Sequence, residues 1–322
     1  MPKIKEVDEM ACIDFVANSA KDFVKQVVAF LIDPANFAPG MAWQLIRPAT
    51  LAEFANAAYD QGTGIGGELI LKGVGDGEDE IYVGIQVVNK GEQTDIRFNG
   101  FAGYDPGLEW FEQPGCIYHA TLPIIPLADG TRLNCWVTAN PARFILVVQM
   151  STQYESAYIG FVKTVSVERQ YPYPLVIGAS AYDGVAWSAT SDAHSAFMNP
   201  GGDGDNTSLR MRRMDGTWRA GQNKGSSPIK GKLCTWPQNT KPTNVLTVLD
   251  NSLTIENVIE FPVLLYECDN PGIVGQFDGV YFIGNREDLS AKDTLIHEGK
   301  PYKVFNNIFR RDNDEYFAIE WF

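Results

Sequence analysis

The order of apolar and polar residues predicts two helices near the start of the chain. Ser19 is a suitable N-cap, and apolar residues recur at helical spacing over 23–31 until Pro34 stops the pattern. A shorter helix is predicted over 50–59, because apolar side chains share one face there and glycines follow from Gly62 onward. The beginning of the chain is therefore expected to be helical.

From residue 67 the apolar period changes from helical to two, which is typical of β-strands. The first three predicted strands are joined by short turns and should form a meander. Residues 144–148 are all apolar, which predicts a strand buried on both faces. The predicted strands are 67–72, 80–89, 94–101, 133–138, 143–150, 156–162, 175–179, 209–211, 261–267, 279–283, 303–310 and 316–322.

These elements divide the chain into three predicted segments. Residues 1–66 form a helical segment packed on the first sheet, 67–170 a β domain, and 171–322 a second, loop-rich β domain. In the alternative, the last two segments share one continuous β core. The stiff segment Tyr171-Pro172-Tyr173-Pro174 marks the expected boundary, since each residue before a proline is kept out of the helical region. The predicted fold class is mainly β with a short N-terminal helical region, as β-sandwich or jelly-roll-like sheets with long loops.

Composition agrees with a folded, β-rich protein. Of 322 residues, 45% are hydrophobic, which excludes a disordered chain, and 30 Gly with 18 Pro interrupt the sequence too often for a helical bundle. The most apolar run, 24–32, contains Lys25 and is about half as long as a membrane span requires. Residues 1–10 lack the pattern of a signal peptide, so we expect a protein that is not secreted by that route.

The charge balance argues against nucleic acid as a partner. The chain has 26 Lys and Arg against 40 Asp and Glu, a net charge of -14, whereas a nucleic-acid surface must neutralise phosphates. The basic positions Arg210, Arg212 and Arg213 are too few to reverse this field. We therefore expect protein partners, without nucleic acid and without membrane insertion.

The short motifs predict no catalytic residue, cofactor or metal. Residues 62–67 contain G-x-G-x-x-G, but a predicted helix precedes it and a strand follows, the reverse of a dinucleotide site. The acidic segment 203–206 resembles a calcium loop, yet Met214 occupies the position of the bidentate ligand. The cysteines are scattered and odd in number, which favours free thiols and leaves intermolecular disulfides as the alternative. They are Cys12, Cys116, Cys135, Cys234 and Cys268.

One cluster has the residue types of a glycan site. Glu109 and Glu112 flank Trp110, and a pair of carboxylates beside aromatic rings is the usual equipment for cleaving or binding sugars. The same residues also suit a turn or an edge strand beside the neighbouring Pro-Gly pairs. The cluster predicts possible glycan contacts at Glu109, Trp110 and Glu112.

Two adjoining segments carry a family resemblance. Residues 136–161 read WVTANPARFILVVQMSTQYESAYIGF, and residues 170–180 read QYPYPLVIGAS. Together they resemble virion structural proteins of tailed bacteriophages that are encoded among tail and baseplate genes. Weaker similarities extend over most of the chain, including Phe277-Asp278-Gly279 and the segment 302–310. The similarity lies in the residue types of these segments and in their order along the chain. None of the similar residues belongs to a catalytic motif.

The resemblance implies a non-enzymatic subunit of the phage tail or baseplate, made in the host cytoplasm and located in the virion. It implies symmetric self-association and contacts with other tail or baseplate proteins. The alternatives are a glycan-binding adhesin or depolymerase at the tail tip, or a neck or collar decoration protein. Long loops (199–208 and 218–244) and the apolar C-terminus are the predicted contact regions. The predicted assembly contacts are Trp218, Trp236, Asp203, Asp205, Trp321 and Phe322.

Overall fold

The computed structural model confirms the predicted fold class. It describes residues 10–75, 80–117, 121–165, 174–188, 196–197, 207–213, 215–221, 233–236, 259–267, 272–284, 289–306 and 316–322. Over these residues the protein is mainly β, with three antiparallel sheets and two helices near the start of the chain.

Both helices begin after a capping side chain, and the sequence predicts the first of them, Ser19. Helix α1 spans Ala20–Ile32, and the Ser19 hydroxyl accepts a hydrogen bond from the Asp22 amide at 3.1 Å. Helix α2 spans Leu51–Asn56 and is capped by Thr50. It is shorter than the predicted helix over 50–59, because the backbone is already non-helical at Ala57.

The central sheet has seven strands in the order β1-β7-β8-β9-β11-β13-β14. Its strands are β1 (Ala11–Ala17), β7 (Leu133–Asn140), β8 (Arg143–Met150), β9 (Gln153–Phe161), β11 (Leu175–Ala179), β13 (Leu209–Arg212) and β14 (Trp218–Ala220). It takes strands from all three predicted segments, so hydrogen bonding within one sheet crosses both predicted boundaries.

The N-terminal outer sheet has six strands in the order β12-β6-β5-β4-β3-β2. They are β2 (Gln44–Arg47), β3 (Ile65–Gly73), β4 (Ile81–Asn89), β5 (Gln93–Phe101), β6 (Pro123–Ala128) and β12 (Ala181–Tyr182). Strands β3, β4 and β5 are consecutive neighbours, and they form the meander predicted from residue 67 onward.

The C-terminal outer sheet has the order β15-β16-β17-β20-β19-β18, and β10 pairs with β17 beside this path. Its strands are β10 (Lys163–Thr164), β15 (Leu233–Trp236), β16 (Ile259–Glu267), β17 (Ile273–Gly284), β18 (Thr294–His297), β19 (Lys300–Asn306) and β20 (Tyr316–Glu320). An isolated bridge between Gly221 and Leu233 links it to the end of β14.

The three sheets stack as layers, and the central sheet contributes to two cores. In β8, Phe144 and Leu146 belong to a core shared with the N-terminal outer sheet and α1. The alternate residues Ile145 and Val147 belong to a second core shared with the C-terminal outer sheet. Because successive strand residues point to opposite faces, one apolar strand serves both cores. The prediction that 144–148 is buried on both faces is confirmed.

Several strands were not predicted from the sequence. Strands β1 and β2 lie in the segment expected to be helical, and the polar region 218–244 contains β14 and β15 rather than only loop. The predicted boundary residues Tyr171, Pro172 and Tyr173 lie outside the described residues, as do 307–310 of a predicted strand.

Candidate functional site

A cluster of charged and polar side chains, buried except for Lys163, joins the central sheet to the C-terminal outer sheet. Asp278 of β17 accepts a hydrogen bond from Arg143 Nε at 3.0 Å and one from Asn140 Nδ2 at 2.9 Å. Its second carboxylate oxygen lies 2.8 Å from Lys163 Nζ. The hydroxyl of Tyr158 accepts from the Asp278 amide and donates to the Phe161 carbonyl. We call these residues, with Asp278 at their centre, the Asp278 cluster.

The turn between β7 and β8 positions the arginine of this cluster. The Asn140 side-chain oxygen accepts hydrogen bonds from the amides of Ala142 and Arg143, both at 2.9 Å. Such side-chain caps fix a turn locally. The Asn140 carbonyl accepts a further bond from the Trp43 indole at 2.9 Å. These hydrogen bonds therefore fix the backbone of Arg143, the first residue of β8, whose side chain contacts Asp278.

Two glycines make room for Arg143, whose side chain is fully buried. Gly279 has φ +69°, and a Cβ built there would lie 2.4 Å from Arg143 Nη2. Gly160 has φ +136°, and its Cβ would lie 2.4 Å from the Arg143 Cα. Both positions need the backbone freedom and the missing side chain of glycine.

Electrostatics keep Asp278 ionised. Burial alone would raise the pKa of Asp278, but the positive charges of Arg143 and Lys163 outweigh burial and lower the pKa to about 2. A carboxylate of this kind does not take up a proton near neutral pH, so the arrangement is suited to joining layers rather than to general base chemistry.

A second cluster holds the segment after β12 against the N-terminal outer sheet. Lys90 Nζ lies 2.6 Å from Asp95 and 2.5 Å from Asp183, and Arg97 lies 2.8 Å from Asp183. Burial raises the pKa of Asp95, while the hydrogen bond from Lys90 and the charge of Arg97 outweigh burial and lower the pKa of Asp183. The side-chain amide of Gln93 adds a hydrogen bond to the Val185 carbonyl at 3.0 Å.

Glu155 of β9 lies at the centre of a third buried polar site. Its carboxylate accepts a hydrogen bond from the Ser180 hydroxyl, and the Ser156 amide donates to that hydroxyl at 3.2 Å. Burial raises the pKa of Glu155 to about 8 despite the bond from Ser180. Glu155 is therefore protonated at neutral pH, and it has no exposed surface from which to exchange that proton with a ligand.

The predicted glycan residues form a short 3₁₀ turn, Trp110–Glu112. Glu109 and Glu112 cap this turn reciprocally, and Glu109 also lies 3.4 Å from Arg47. The Glu109 side chain is 79% exposed. Both carboxylates therefore have a local structural role and remain near solvent.

Trp110 does not form the open aromatic platform that the glycan prediction needs. It is only 2% exposed, and its indole nitrogen donates to the Leu69 carbonyl at 3.4 Å. Phe101 and Phe111 pack edge-on at centroid distances of 5.6 and 4.7 Å. A sugar ring has no open indole face to stack on, because the apolar ring fills the core beside β4 instead.

Trp218, a predicted assembly contact, is half-buried and packs against the core shared with the N-terminal outer sheet. Its indole nitrogen donates to the Gly115 carbonyl at 2.8 Å. The ring lies against Gly100 of β5, where a Cβ would come within 2.6 Å of it. The Arg212 guanidinium lies 5.8 Å from the ring centroid. Trp218 therefore joins β14 of the central sheet to the N-terminal outer sheet.

The other predicted assembly contacts lie in different places. Trp236 is half-buried and packs edge-on against Phe261 at 5.7 Å. Trp321 is half-buried beside Lys303, whereas Phe322 is 59% exposed. Asp203 and Asp205 lie outside the described residues. The structure thus does not bring these six residues together into one described surface.

Sequence reasoning missed the Asp278 cluster, although signals were present. Arg143 directly precedes the apolar run 144–148, and Asp278 directly precedes Gly279 and the predicted strand 279–283. A charge at the start of an apolar strand needs a partner when it is buried. That reasoning could have found the arginine, but not which of 40 acidic residues meets it.

The described residues contain no group of His, Cys, Asp and Glu arranged to hold a metal ion. Four cysteines (Cys12, Cys116, Cys135 and Cys234) are free thiols there, and Cys268 lies outside the described part. No helix in that part of the chain is long and apolar enough to cross a membrane. Comparison of the sequence with models of known protein families gives no match, and comparison with curated protein sequences gives none either.

Proposed function

We propose that this protein is a non-enzymatic structural subunit of a tailed-bacteriophage virion, located in the tail or baseplate. The observation that carries the proposal is the position of the segments that resemble that family. Residues 136–161 include most of β7 and all of β8 and β9, and residues 170–180 include β11. The resemblance therefore falls on the central sheet, which contributes to both cores.

The use of buried charge supports a structural role. The Asp278 cluster joins the central sheet to one outer sheet, and the Lys90–Asp95–Asp183 group fixes a connecting segment on the other. Breaking the buried Arg143–Asp278 pair would cost about 3 to 5 kcal/mol, so this pair holds two layers in one arrangement, and the half-buried Lys90 group adds a weaker constraint. A subunit that repeats in a particle needs one fixed shape at every position.

The proposed partners are other tail or baseplate proteins and further copies of the same chain. A net charge of -14 disfavours contact with the packaged genome and leaves protein surfaces as the suitable partners. In this proposal the protein is made in the host cytoplasm and is located in the virion after assembly.

The test is the composition and structure of purified phage particles that carry this gene. We expect peptides of the chain in the particles by mass spectrometry, and density for the three-layered fold in the tail or baseplate of a reconstruction. Its copy number should follow the symmetry of the ring in which it lies. Particles that lack the chain would refute the proposal, and density at the neck, the collar or the receptor-binding tip would move it to one of the alternative positions.

A further inference from the structure

Strand β18 ends the C-terminal outer sheet with an open edge. It pairs with β19 through a two-residue turn, Glu298 and Gly299, whose φ values are +49° and +80°. Two consecutive positive φ values are typical of the tight turns that match the twist of a hairpin. Among the described residues β18 has no strand on its other side.

The pairing pattern shows which backbone groups of β18 face outward. Ile296 lies opposite Pro301, which has no N–H, and the Pro301 carbonyl accepts from the Trp321 amide on the far side of β19. Residues 296 and 301 are therefore a pair without mutual hydrogen bonds. Because the two kinds of pair alternate along an antiparallel ladder, the N–H and C=O groups of Thr294 and Ile296 point away from β19.

The edges at β1, β2, β12 and β14 carry features that discourage pairing with another chain, and β15 is joined to the end of the central sheet by the bridge between Leu233 and Gly221. Strand β1 contains exposed Asp14, and the Gln26 side chain donates to the Val16 carbonyl at 3.2 Å. Strand β2 has a register shift between Leu45 and Arg47, β12 has two residues and β14 has three. Short, charged or irregular edges are the usual protection against edge-to-edge association.

Strand β18 lacks that protection. Its sequence TLIH contains no Lys, Arg, Asp, Glu or Pro, and the side chain of Ile296 is 68% exposed. An edge strand without Lys, Arg, Asp, Glu or Pro and with an exposed β-branched residue is a template for another strand.

A second copy of β18 fits this edge in an antiparallel register. Pairing through the outward groups places Thr294 opposite Ile296 of the second copy, with Leu295 on the twofold axis. The exposed Lys292, whose ammonium lies 5.5 Å from the Trp136 ring centroid, then approaches the exposed Glu298 of the second copy. Symmetry repeats this pair at the other end. In the neighbouring register, with Ile296 on the axis, Lys292 would lie past the Glu298–Gly299 turn of the second copy, where its chain has already turned back into β19. Only the first register therefore brings Lys292 to Glu298.

We infer that two copies of this chain associate through β18, forming a continuous antiparallel sheet across a twofold axis. The interface has Thr294 and Ile296 at its centre and a Lys292–Glu298 pair at each end. The inference goes beyond the proposed function, since it concerns the purified chain and holds whether or not the protein is part of a virion.

The first test is sedimentation velocity of the purified chain over a concentration series. The expected result is a dimer that Ile296→Lys weakens at least about tenfold, because each new ammonium group replaces the apolar contact with Thr294 and the two like charges lie diagonally across the axis. Val165→Lys is the matched control, since Val165 is 65% exposed but lies outside β18. It should leave the dimer unchanged, and thermal unfolding should confirm that both variants are folded.

The second test reverses the charges at the ends of the interface. Glu298→Lys should weaken the dimer about threefold to tenfold, and adding Lys292→Glu in the same chain should restore it by recreating opposite pairs. A wild-type chain that stays monomeric, a dimer insensitive to Ile296→Lys, or a double variant no better than the single one would overturn the inference. A dimer absent from particles would refute only the proposed function, and a monomer present in particles would refute only this inference.

Discussion

Arg143 at the start of β8 and Asp278 in β17 form a buried ion pair with 3.0 Å between Nε and Oδ2. The two residues are far apart in the sequence and lie in different sheets. Their side chains are 0% and 13% exposed, so the pair is largely removed from water. It fixes the central sheet and the C-terminal outer sheet in one relative position.

Asp278→Asn should destabilise the protein strongly. The variant leaves the fully buried Arg143 without its counter-charge, which costs about 3 to 5 kcal/mol in the free energy of unfolding. Glu109→Gln is the control, because its side chain is 79% exposed and the change should stay within about 0.5 kcal/mol. Urea unfolding at neutral pH measures both variants. A loss below about 1 kcal/mol for Asp278→Asn would contradict the importance of the pair.

Glu155 should make the protein less stable as pH rises. Its pKa is about 8 in the folded chain and 4.5 when unperturbed, so between these values the unfolded chain has lost a proton that the folded chain retains. The protonated Glu155 contributes fully to the free energy of unfolding below pH 4.5. This contribution, on the order of 4 kcal/mol, is lost progressively as the pH rises to 8.

Glu155→Gln tests the direction of this pH dependence, because glutamine cannot ionise. The decrease in the free energy of unfolding between pH 5 and 8 should be smaller in Glu155→Gln than in the wild type. Urea titrations at several pH values provide the measurement. Identical pH profiles for the two proteins would show that Glu155 does not hold a proton in the folded state.

Gly279→Ala should cost more stability than Gly299→Ala. Both glycines have positive φ values, +69° and +80°, so both variants lose about 1 kcal/mol to backbone strain. Only the Cβ at position 279 meets another atom, Arg143 Nη2 at 2.4 Å, and that buried side chain has little room to move. The melting temperatures of the two variants should differ by several degrees. Equal melting temperatures would show that a small movement of the Arg143 side chain relieves the contact.

Trp218→Ala should destabilise the isolated chain, because the ring packs on Gly100 and donates to the Gly115 carbonyl. We expect a loss of about 2 to 4 kcal/mol in the free energy of unfolding. Phe322→Ala is a suitable comparison, since Phe322 is 59% exposed and should change stability little. If Trp218→Ala unfolds like the wild type but fails to assemble, Trp218 acts as a subunit contact instead.

Local signals were sufficient for many of the elements. Ser19 before an apolar helical pattern predicted α1, and the all-apolar run from Phe144 to Val148 predicted a strand with two buried faces. In both cases the deciding information lies within a few residues. The elements that were not predicted depend on strand partners that are distant in the sequence.

Strand β6 illustrates a signal that misleads. Its sequence contains Pro123 and Pro126, and prolines argue against a strand because they cannot donate to the ladder. In the structure β12 pairs only with Pro123 and Ile124, so Pro126 lies beyond the end of that short neighbour. The strand tolerates its prolines because it is nearly an edge, which no local pattern reveals.

The candidate site was harder to predict for the same reason. Trp110 was predicted as a glycan contact beside two glutamates, but its ring fills the space left by Gly84, where a Cβ would lie 2.6 Å from it. The partnership of Arg143 with Asp278 likewise depends on how the sheets stack. Sequence patterns identify residues that need a partner without identifying the partner.

The position of the central sheet between two cores limits how the chain can be divided. A fragment of residues 67–170 would keep β8 and β9 but lose β16, β17, β19 and β20. Ile145, Val147 and Tyr158, all fully buried in the whole chain, would then face water. Such a fragment would present an aggregation-prone apolar surface when expressed alone, so useful truncations should preserve all three layers.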